Sequence, residues 1–252
     1  MRHMKVVIVS TPRTCSGFLC NIFDKKFDLI DYSELFSDVW LKASPELKLK
    51  MVNRSDNFVM KLTSTSLLTN QHLFTLQTFP WKTFDYIIVT ERLDIAQQLS
   101  SWWLLSSAQM IGKGDQDNLV RYLREGLQAP HELPAPLLDQ ATAIVKTINH
   151  FQEEVKPYLL NSGLKSVKLV NHEMFQKPRE EYIEELRDKT GVYWRIEDLI
   201  TSNPTYVDYT PYIETHNIRQ LIDDIQFKIK NPNATKEENN TTEQPVENEG
   251  IV

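Results

Sequence analysis

The sequence is poor in cysteine, which excludes several kinds of site. It contains two cysteines, Cys15 and Cys20, in 252 residues. On the helix predicted there they point to different sides, which rules against a local disulfide. Two cysteines without a nearby pair of histidines also fall short of a structural zinc site. We therefore predict free thiols and no bound metal.

Basic clusters and long apolar runs are also missing. There is no block of Lys or Arg, and a formal net charge of −6 gives no electrostatic footprint for duplex DNA. The apolar run Val6–Val9 near the amino terminus is far shorter than a signal-peptide core or a membrane span. These absences argue against a nucleic-acid partner, a membrane span and secretion, so we expect a cytoplasmic protein.

The length and composition fit one large domain. A chain of 252 residues with 41% hydrophobic residues can bury a core of its own. The last segment, Asn231–Val252, has five Glu and one Lys and little that a core could bury, so we expect it to be disordered. The predicted organisation is a single domain over residues 1–230 and an acidic tail over residues 231–252.

Four short apolar runs rich in β-branched residues predict buried strands. The first three are followed by helical patterns, such as Ser16–Phe27 after the first. Strands that alternate with helices form parallel β-α-β units, in which helices cover both faces of a sheet. We therefore predict an α/β fold with a parallel sheet flanked by helices. The predicted strands are Lys5–Ser10, Asn57–Leu62, Asp85–Thr90 and Ser166–Val170.

A long helical insert is predicted between the third and fourth strands. Leu93–Met110 reads as a helix, Gly112–Asp117 as a loop, and Leu137–Leu160 as a long amphipathic helix. Such an insert can shape a substrate pocket. Trp102 and Trp103 lie on its first helix, where either core packing or an aromatic wall for stacking on a sugar ring would suit them.

Charged and isolated polar residues elsewhere fit structural roles. The charged run Arg179–Lys189 ends before Gly191, as a helix carboxyl terminus does, and we interpret it as a solvated surface helix. His72, His131 and His172 are scattered along the chain, and a lone histidine is more often structural than catalytic.

The loop after the first predicted strand predicts an anion site. Residues Ser10–Leu19 read Ser-Thr-Pro-Arg-Thr-Cys-Ser-Gly-Phe-Leu, so a strand delivers a loop of small residues into the start of a helix. Backbone N–H groups are unpaired at such a junction and the helix dipole adds positive charge, so it can hold a phosphate or sulfate. The Gly-Lys-Ser/Thr signature of nucleoside-triphosphate enzymes is missing, and Arg13 supplies a cation instead.

With this loop the chain resembles the sulfotransferases, in particular the bacterial trehalose sulfotransferase group. Their loop of the type Thr-Pro-Arg-Ser-Gly-Ser-Thr-Leu-Leu-Cys stands here as Thr11–Cys20. The resemblance implies a sulfotransferase fold similar to that of the P-loop nucleotide kinases, with 3′-phosphoadenosine-5′-phosphosulfate (PAPS) as donor and 3′-phosphoadenosine-5′-phosphate (PAP) as product. In the family this loop holds the 5′-phosphosulfate. The residues implied to bind it are Arg13, Thr14, Cys15, Ser16, Gly17 and Phe18, with Arg13 also a catalytic residue at the leaving phosphate.

A second resemblance lies after the third predicted strand. Members of the family place an Arg after a strand and a Ser eight residues later, and Arg92 and Ser100 stand at that spacing. If the helix begins near Asp94, Ser100 lies about 9 Å along its axis, a gap that an extended Arg side chain can close around one phosphate. The resemblance therefore implies that Arg92 and Ser100 bind the 3′-phosphate of the donor.

Two further matches imply catalytic residues. The strand Phe58–Leu62 is similar to the family's Phe-Gly-Val-Lys-Leu strand, which implies that Lys61 lies near the transferring sulfuryl group. The segment Asp31–Phe36 stands where trehalose-type relatives carry the Glu proposed as general base. Glu34 is therefore the candidate base, and Lys61 and Arg13 are the candidate electrostatic stabilisers.

The predicted function is transfer of a sulfuryl group from PAPS to a hydroxyl of a carbohydrate, glycolipid or small-molecule acceptor, without a metal. Two alternatives stay open. One is an ATP-dependent small-molecule kinase of related fold, which the missing Gly-Lys-Ser/Thr argues against. The other is a nucleotide-binding module without turnover. The sequence leaves the identity of the acceptor and the oligomeric state open, since function depends on sites rather than on fold.

Overall fold

A five-stranded parallel sheet forms the centre of the fold. The computed structural model describes residues 3–36, 43–110, 135–199 and 208–232. All paired strands are parallel, in the order β2-β3-β1-β4-β5, so the predicted α/β fold class is confirmed. The strands are β1 (Met4–Ser10), β2 (Ile30–Asp31), β3 (Asn57–Thr63), β4 (Tyr86–Glu91) and β5 (Val167–Asn171).

Helices cover both faces of this sheet. A π-helical turn at Phe151–Val155 joins α5 and α6, and short 3₁₀ turns lie at Trp81–Thr83 and His172–Gln176. The α-helices are α1 (Ser16–Phe27), α2 (Pro45–Arg54), α3 (Ser64–Thr69), α4 (Ile95–Met110), α5 (Leu138–His150), α6 (Lys156–Asn161), α7 (Arg179–Thr190), α8 (Ile196–Leu199), α9 (Thr210–Thr215) and α10 (Ile218–Lys230).

Alternation along the strands divides the core between the two faces. On one face Val6, Ile8 and Ile88 pack with α1 and α7, and on the other Val7 and Val9 pack with side chains that include Phe58 and Phe151. Both sets of strand residues are buried, as is typical of a parallel sheet with helices on both sides. A third cluster joins α4, α5, α9 and α10, and Trp103 is buried in it.

Helix α4 has a defined start next to the sheet. The carboxylate of Asp94 accepts hydrogen bonds from the N–H groups of Ala96 (2.9 Å) and Gln97 (3.1 Å). Asp94 is therefore the N-cap residue, which pairs N–H groups of the first turn that have no partner within the helix. Arg92 stands between the end of β4 and this cap. The connection from strand to helix is therefore short, and it leaves Arg92 little freedom to move away from the sheet.

Several predicted elements take a different form in the structure. The helix predicted at Leu137–Leu160 is interrupted by the π-helical turn. Helix α7 is not only a surface helix, because Tyr182, Ile183 and Leu186 are buried, so solvent meets its outer face alone. The predicted loop at residues 112–117 and residues 233–252 of the predicted tail lie outside the described residues. Within the described ranges, no helix is both long and apolar enough to cross a membrane.

The face covered by α1 should be sensitive to loss of Trp194. This side chain is fully buried, meets the Phe23 ring edge-on at 5.0 Å and donates from Nε1 to Thr190 Oγ1 at 3.0 Å. We expect Trp194→Ala to lower the free energy of unfolding by about 3–5 kcal/mol in urea titrations. Tyr193→Ala is the matched control, since Tyr193 is 69% exposed, and it should cost no more than about 1 kcal/mol. Equal losses would contradict this description of the core.

Candidate functional site

Hydroxyl side chains lie at or next to the carboxyl ends of the three central strands. Ser10 of β1 lies in register with Thr63 of β3 and Thr90 of β4, and all three are buried. Thr14 reaches back from the following loop: its Oγ1 donates to the Thr11 carbonyl at 2.9 Å and lies 2.7 Å from Thr90 Oγ1. Since the single Thr14 proton goes to Thr11, Thr90 is the donor in the second bond. The loop is thereby fastened to the neighbouring strand.

The loop adopts a strained backbone that needs such support. Arg13 (φ 69°) and Cys15 (φ 60°) both have positive φ, which costs a residue with a Cβ about 1 kcal/mol or more. Helix α4 holds the loop from the other side. Gln98 Nε2 donates to the Pro12 carbonyl at 2.7 Å and to Thr11 Oγ1, and Arg13 Nε donates to Ser101 Oγ at 3.0 Å.

The amino terminus of α1 is open beside this loop. Its N-cap residue is Cys15, whose side chain makes no capping hydrogen bond, and the first turn contains no acidic residue. Ser16 is buried and Phe18 half-buried, whereas Gly17 is exposed and a Cβ placed on it would have no atom within 4 Å. Unpaired N–H groups, the helix dipole and free space together suit a bound anion.

Arg92 is buried next to α4 and α9. It is 4% exposed, its Nη2 lies 3.4 Å from Gln97 Oε1, and its guanidinium lies 5.9 Å from the centre of the Tyr209 ring. Gln97 in turn accepts from the N–H of Tyr209 at 3.0 Å. Gln97 and Tyr209 therefore cover Arg92.

The positive charges of Arg13 and Arg92 act on the same two groups, the buried His172 and the half-buried Cys15. Burial, followed by the positive charges of Arg92 and Arg13, lowers the pKa of His172 to about 3. Burial also raises the pKa of the Cys15 thiol to about 12, and the charges of Arg92 and Arg13 oppose that rise. At neutral pH His172 is uncharged and Cys15 is protonated. The charges of these two arginines, far apart in sequence, thus act on the same two groups, and neither group adds negative charge.

Ser100 lies fully buried on α4. Among the described residues its Oγ has no hydrogen-bond partner. A helix turns by about 100° per residue, so Ser100 and Ser101 point in different directions, and only Ser101 contacts Arg13. An unpartnered buried hydroxyl is uncommon in native proteins.

Lys61 and Glu34 form an ion pair beside α1. Lys61 Nζ lies 3.0 Å from Glu34 Oε1, and the two side chains are 17% and 41% exposed. Burial raises the pKa of the nearby Cys20 thiol, the charge of Asp31 adds to that rise, and the Lys61 charge opposes it. Cys20 is about 6 Å along the helix from its first residue, Ser16. The charges of Lys61 and Glu34 thus act on the second turn of α1, whereas Arg13 precedes its first turn.

Three residues of this site were missed by sequence reasoning. Gln98 and Ser101 are three positions apart and share one face of α4. Two polar residues on one face of an otherwise apolar helical pattern could have marked them as site residues in the sequence. His172 had no signal, since its importance comes from burial beside two arginines. Within the part of the chain that the structure describes, no group of three or more His, Cys, Asp or Glu residues could hold a metal ion.

Comparisons with known proteins find matches among solved structures. No protein-family model matches the sequence, and no curated protein matches it. Among solved structures, the chain is similar to mouse sulfotransferase SULT7A1 complexed with PAP, at 13% sequence identity and a TM-score of 0.41 over 81% of this chain and 68% of the mouse chain. A TM-score this low carries no functional conclusion, so any function has to rest on the residues of the site.

Acid should destabilise the fold through His172. Its pKa is about 3 in the folded protein against an ordinary value of 6.5, so between these values the unfolded chain binds the proton more readily. His172 therefore has no effect on stability well above pH 6.5, and it lowers the free energy of unfolding by about 1.4 kcal/mol per pH unit below that. We expect urea titrations from pH 7 to pH 4.5 to show a steeper loss for the wild type than for His172→Gln. Parallel profiles would contradict the burial of a neutral imidazole.

Proposed function

We propose that the chain is a PAPS-dependent sulfotransferase that acts on a hydroxyl-bearing carbohydrate, glycolipid or small molecule. The observation that carries the proposal is that Arg13 and Arg92 both bond α4, Arg13 at Ser101 and Arg92 at Gln97, beside the open amino terminus of α1. Two cations next to a helix start suit a ligand with two anionic ends, and PAPS has a phosphosulfate at one end and a 3′-phosphate at the other.

The loop residues suit the end of the donor that reacts. Sulfuryl transfer forms a bond from the acceptor oxygen to sulfur and breaks the bond from sulfur to the bridging oxygen, so negative charge grows on the 5′-phosphate that leaves with PAP. Arg13 and the N–H groups of Ser16, Gly17 and Phe18 are the donors that stabilise such charge. The hydroxyls of Thr14 and Ser16 belong to the same proposed phosphosulfate site.

The 3′-phosphate is assigned to Arg92 and Ser100. Both are buried, and the Ser100 hydroxyl has no partner among the described residues, so a phosphate oxygen would supply one. Because Gln97 and Tyr209 cover Arg92, donor binding requires these two side chains to shift. Burial also favours a strong interaction, since a charge pair gains more in a site of low dielectric constant than in water.

Glu34 is the proposed general base, with Lys61 beside it. Its carboxylate is partly exposed and can take the proton that the acceptor hydroxyl loses. Lys61, held at 3.0 Å from that carboxylate, is proposed to stabilise sulfuryl oxygens when it turns from Glu34 to the donor. The proposal further includes membership of the trehalose sulfotransferase-like group, supported by the sequence motifs alone, and a cytoplasmic location, supported only by the short apolar run near the amino terminus.

Binding of PAP should depend on the open space at Gly17. Isothermal titration calorimetry should show that the wild type binds PAP and does not bind ATP with magnesium. Gly17→Asp places a carboxylate at the start of α1, where it suits the helix dipole and leaves the fold stable, but it should repel the ligand phosphate and weaken PAP binding at least about tenfold. Gln77→Glu adds the same charge at an exposed position and should bind PAP normally. Binding of ATP with magnesium but not PAP would contradict the proposal and favour a kinase.

Turnover should depend on Glu34. Transfer of ³⁵S from labelled PAPS is first measured against a panel of sugars, glycolipids and small alcohols, which identifies a usable acceptor. With that acceptor we expect Glu34→Gln to lower kcat about 10²- to 10⁴-fold while PAP affinity stays unchanged. Glu154→Gln is the control, because that carboxylate is 66% exposed on another helix surface. A near-native kcat would remove Glu34 from the role of base, and PAP binding without any labelled acceptor would favour a non-catalytic module.

A further inference from the structure

Helix α4 hydrogen-bonds three consecutive residues of the anion loop. Gln98 donates to Thr11 and Pro12, and Ser101 accepts from Arg13. We infer that Gln98 and Ser101 are positioning residues for sulfuryl transfer, which hold the loop and the Arg13 guanidinium in the arrangement that binds the phosphosulfate. This inference rests on the proposed function and adds to it two residues that touch neither donor nor acceptor in the proposed site.

The environment of Gln98 indicates that its amide group is there to donate hydrogen bonds. The side chain is fully buried, and its Nε2 faces the Pro12 carbonyl, which can only accept. Because the Pro12 carbonyl needs a donor, the NH₂ end of the Gln98 amide is the end that faces it. Among the described residues, Gln98 Oε1 has no partner. A buried amide oxygen left unpaired is unfavourable, which is consistent with a role that needs the donor end.

Ser101 fixes the direction of the Arg13 side chain. Its buried hydroxyl accepts from Nε at 3.0 Å, and Arg13 makes no other hydrogen bond with the described residues. The Nη1 and Nη2 groups are thus left for a ligand, on a side chain whose rotation is already restricted. A guanidinium held in this way loses less conformational entropy when it binds an anion. It also stays aligned with the bridging oxygen as charge develops there.

The same helix connects the two proposed ends of the donor. Ser100, assigned to the 3′-phosphate, is the neighbour of Ser101, and Arg92 lies just before the start of α4. A rigid helix that carries contacts to both ends sets the distance between them. Loss of a contact to the loop should therefore impair the alignment of Arg13 in the reaction more than it impairs affinity for the bisphosphate.

The test compares paired variants in steady-state kinetics and in hydrogen exchange. Ser101→Ala removes the acceptor and Ser101→Thr keeps it, while Gln98→Met removes the donor together with the unpartnered oxygen. Thr147→Ala on α5 is the control for loss of a helix hydroxyl, because among the described residues that side chain bonds only Ala143 of its own helix. Gln77→Met is the control for loss of an amide. Unfolding temperatures of all variants report any loss of stability.

We expect Ser101→Ala and Gln98→Met to lower kcat about tenfold or more with less than about a threefold change in the Kd of PAP. Ser101→Thr should restore kcat, and the controls should match the wild type. A residue with a merely structural role would lower the unfolding temperature and leave kcat unchanged at temperatures where the variant is folded. That result, or a failure of Ser101→Thr to rescue, would overturn the inference.

Exchange of the Arg13 Nε–H proton, followed by ¹⁵N NMR in the ligand-free protein, separates this inference from the proposed function. Slow exchange in the wild type and fast exchange in Ser101→Ala would support the contact even if PAP fails to bind. In that case the proposed function alone would fail. Equal exchange in the two proteins would overturn the positioning role of Ser101, whatever the wild type binds.

Discussion

The hydrogen bonds between the loop after β1 and its two neighbours are the interactions on which the site depends. Arg13 and Cys15 have positive φ, a conformation that persists only when the surroundings enforce it. Thr14 provides this support from the strand side through Thr90, and Gln98 provides it from α4 through the Pro12 carbonyl. Because β1 lies between β3 and β4 in the sheet, the loop emerges at the centre of the carboxyl edge, where both β4 and α4 can reach it.

This arrangement produces a local positive charge on an acidic chain. The net formal charge is −6, yet the first turn of α1 contains no acidic residue. The positive charges of Arg13 and Arg92 both act on Cys15, which precedes that turn. The charge of Glu173 adds to the rise in the pKa of Cys15, and the Glu173 carboxylate accepts from the N–H of Leu93 at 2.7 Å. That carboxylate is therefore engaged with the start of the α4 segment. A few local cations are enough to bind an anion when the site is partly removed from water, because charges attract more strongly there.

Much of the fold was predictable because hydrophobic patterns are local. The runs of β1 and β4 and the whole of α1 were read from the sequence, and Arg92 was correctly placed between a strand and a helix. The two-residue strand β2 carries no pattern long enough to detect, and the buried face of α7 is hidden by the charged residues around Tyr182 and Leu186. Tertiary contacts form β2 and bury one face of α7, and the pattern of a single sequence does not encode such contacts.

The site was predictable only in its parts that are contiguous in sequence. The loop around Arg13 has a recognisable pattern, but the contacts of Gln98 and Ser101 with it arise from packing of α4 on the sheet edge. The role of His172 depends in the same way on where β5 ends relative to Arg92. Glu34 and Lys61 were both singled out from the sequence, and the structure adds that they pair with each other. Their roles in catalysis stay predictions.

A crystal structure of the chain with bound PAP tests the central claim most directly. The account predicts one PAP molecule that spans the site, with its 5′-phosphate at the N–H groups of Ser16 and Gly17 beside Arg13 and its 3′-phosphate on Arg92 and Ser100. Gln97 and Tyr209 should have shifted to uncover Arg92. A PAP molecule bound elsewhere, or bound at the loop with its 3′-phosphate in solvent and Arg92 still covered, would contradict the claim that these two segments form a single donor site.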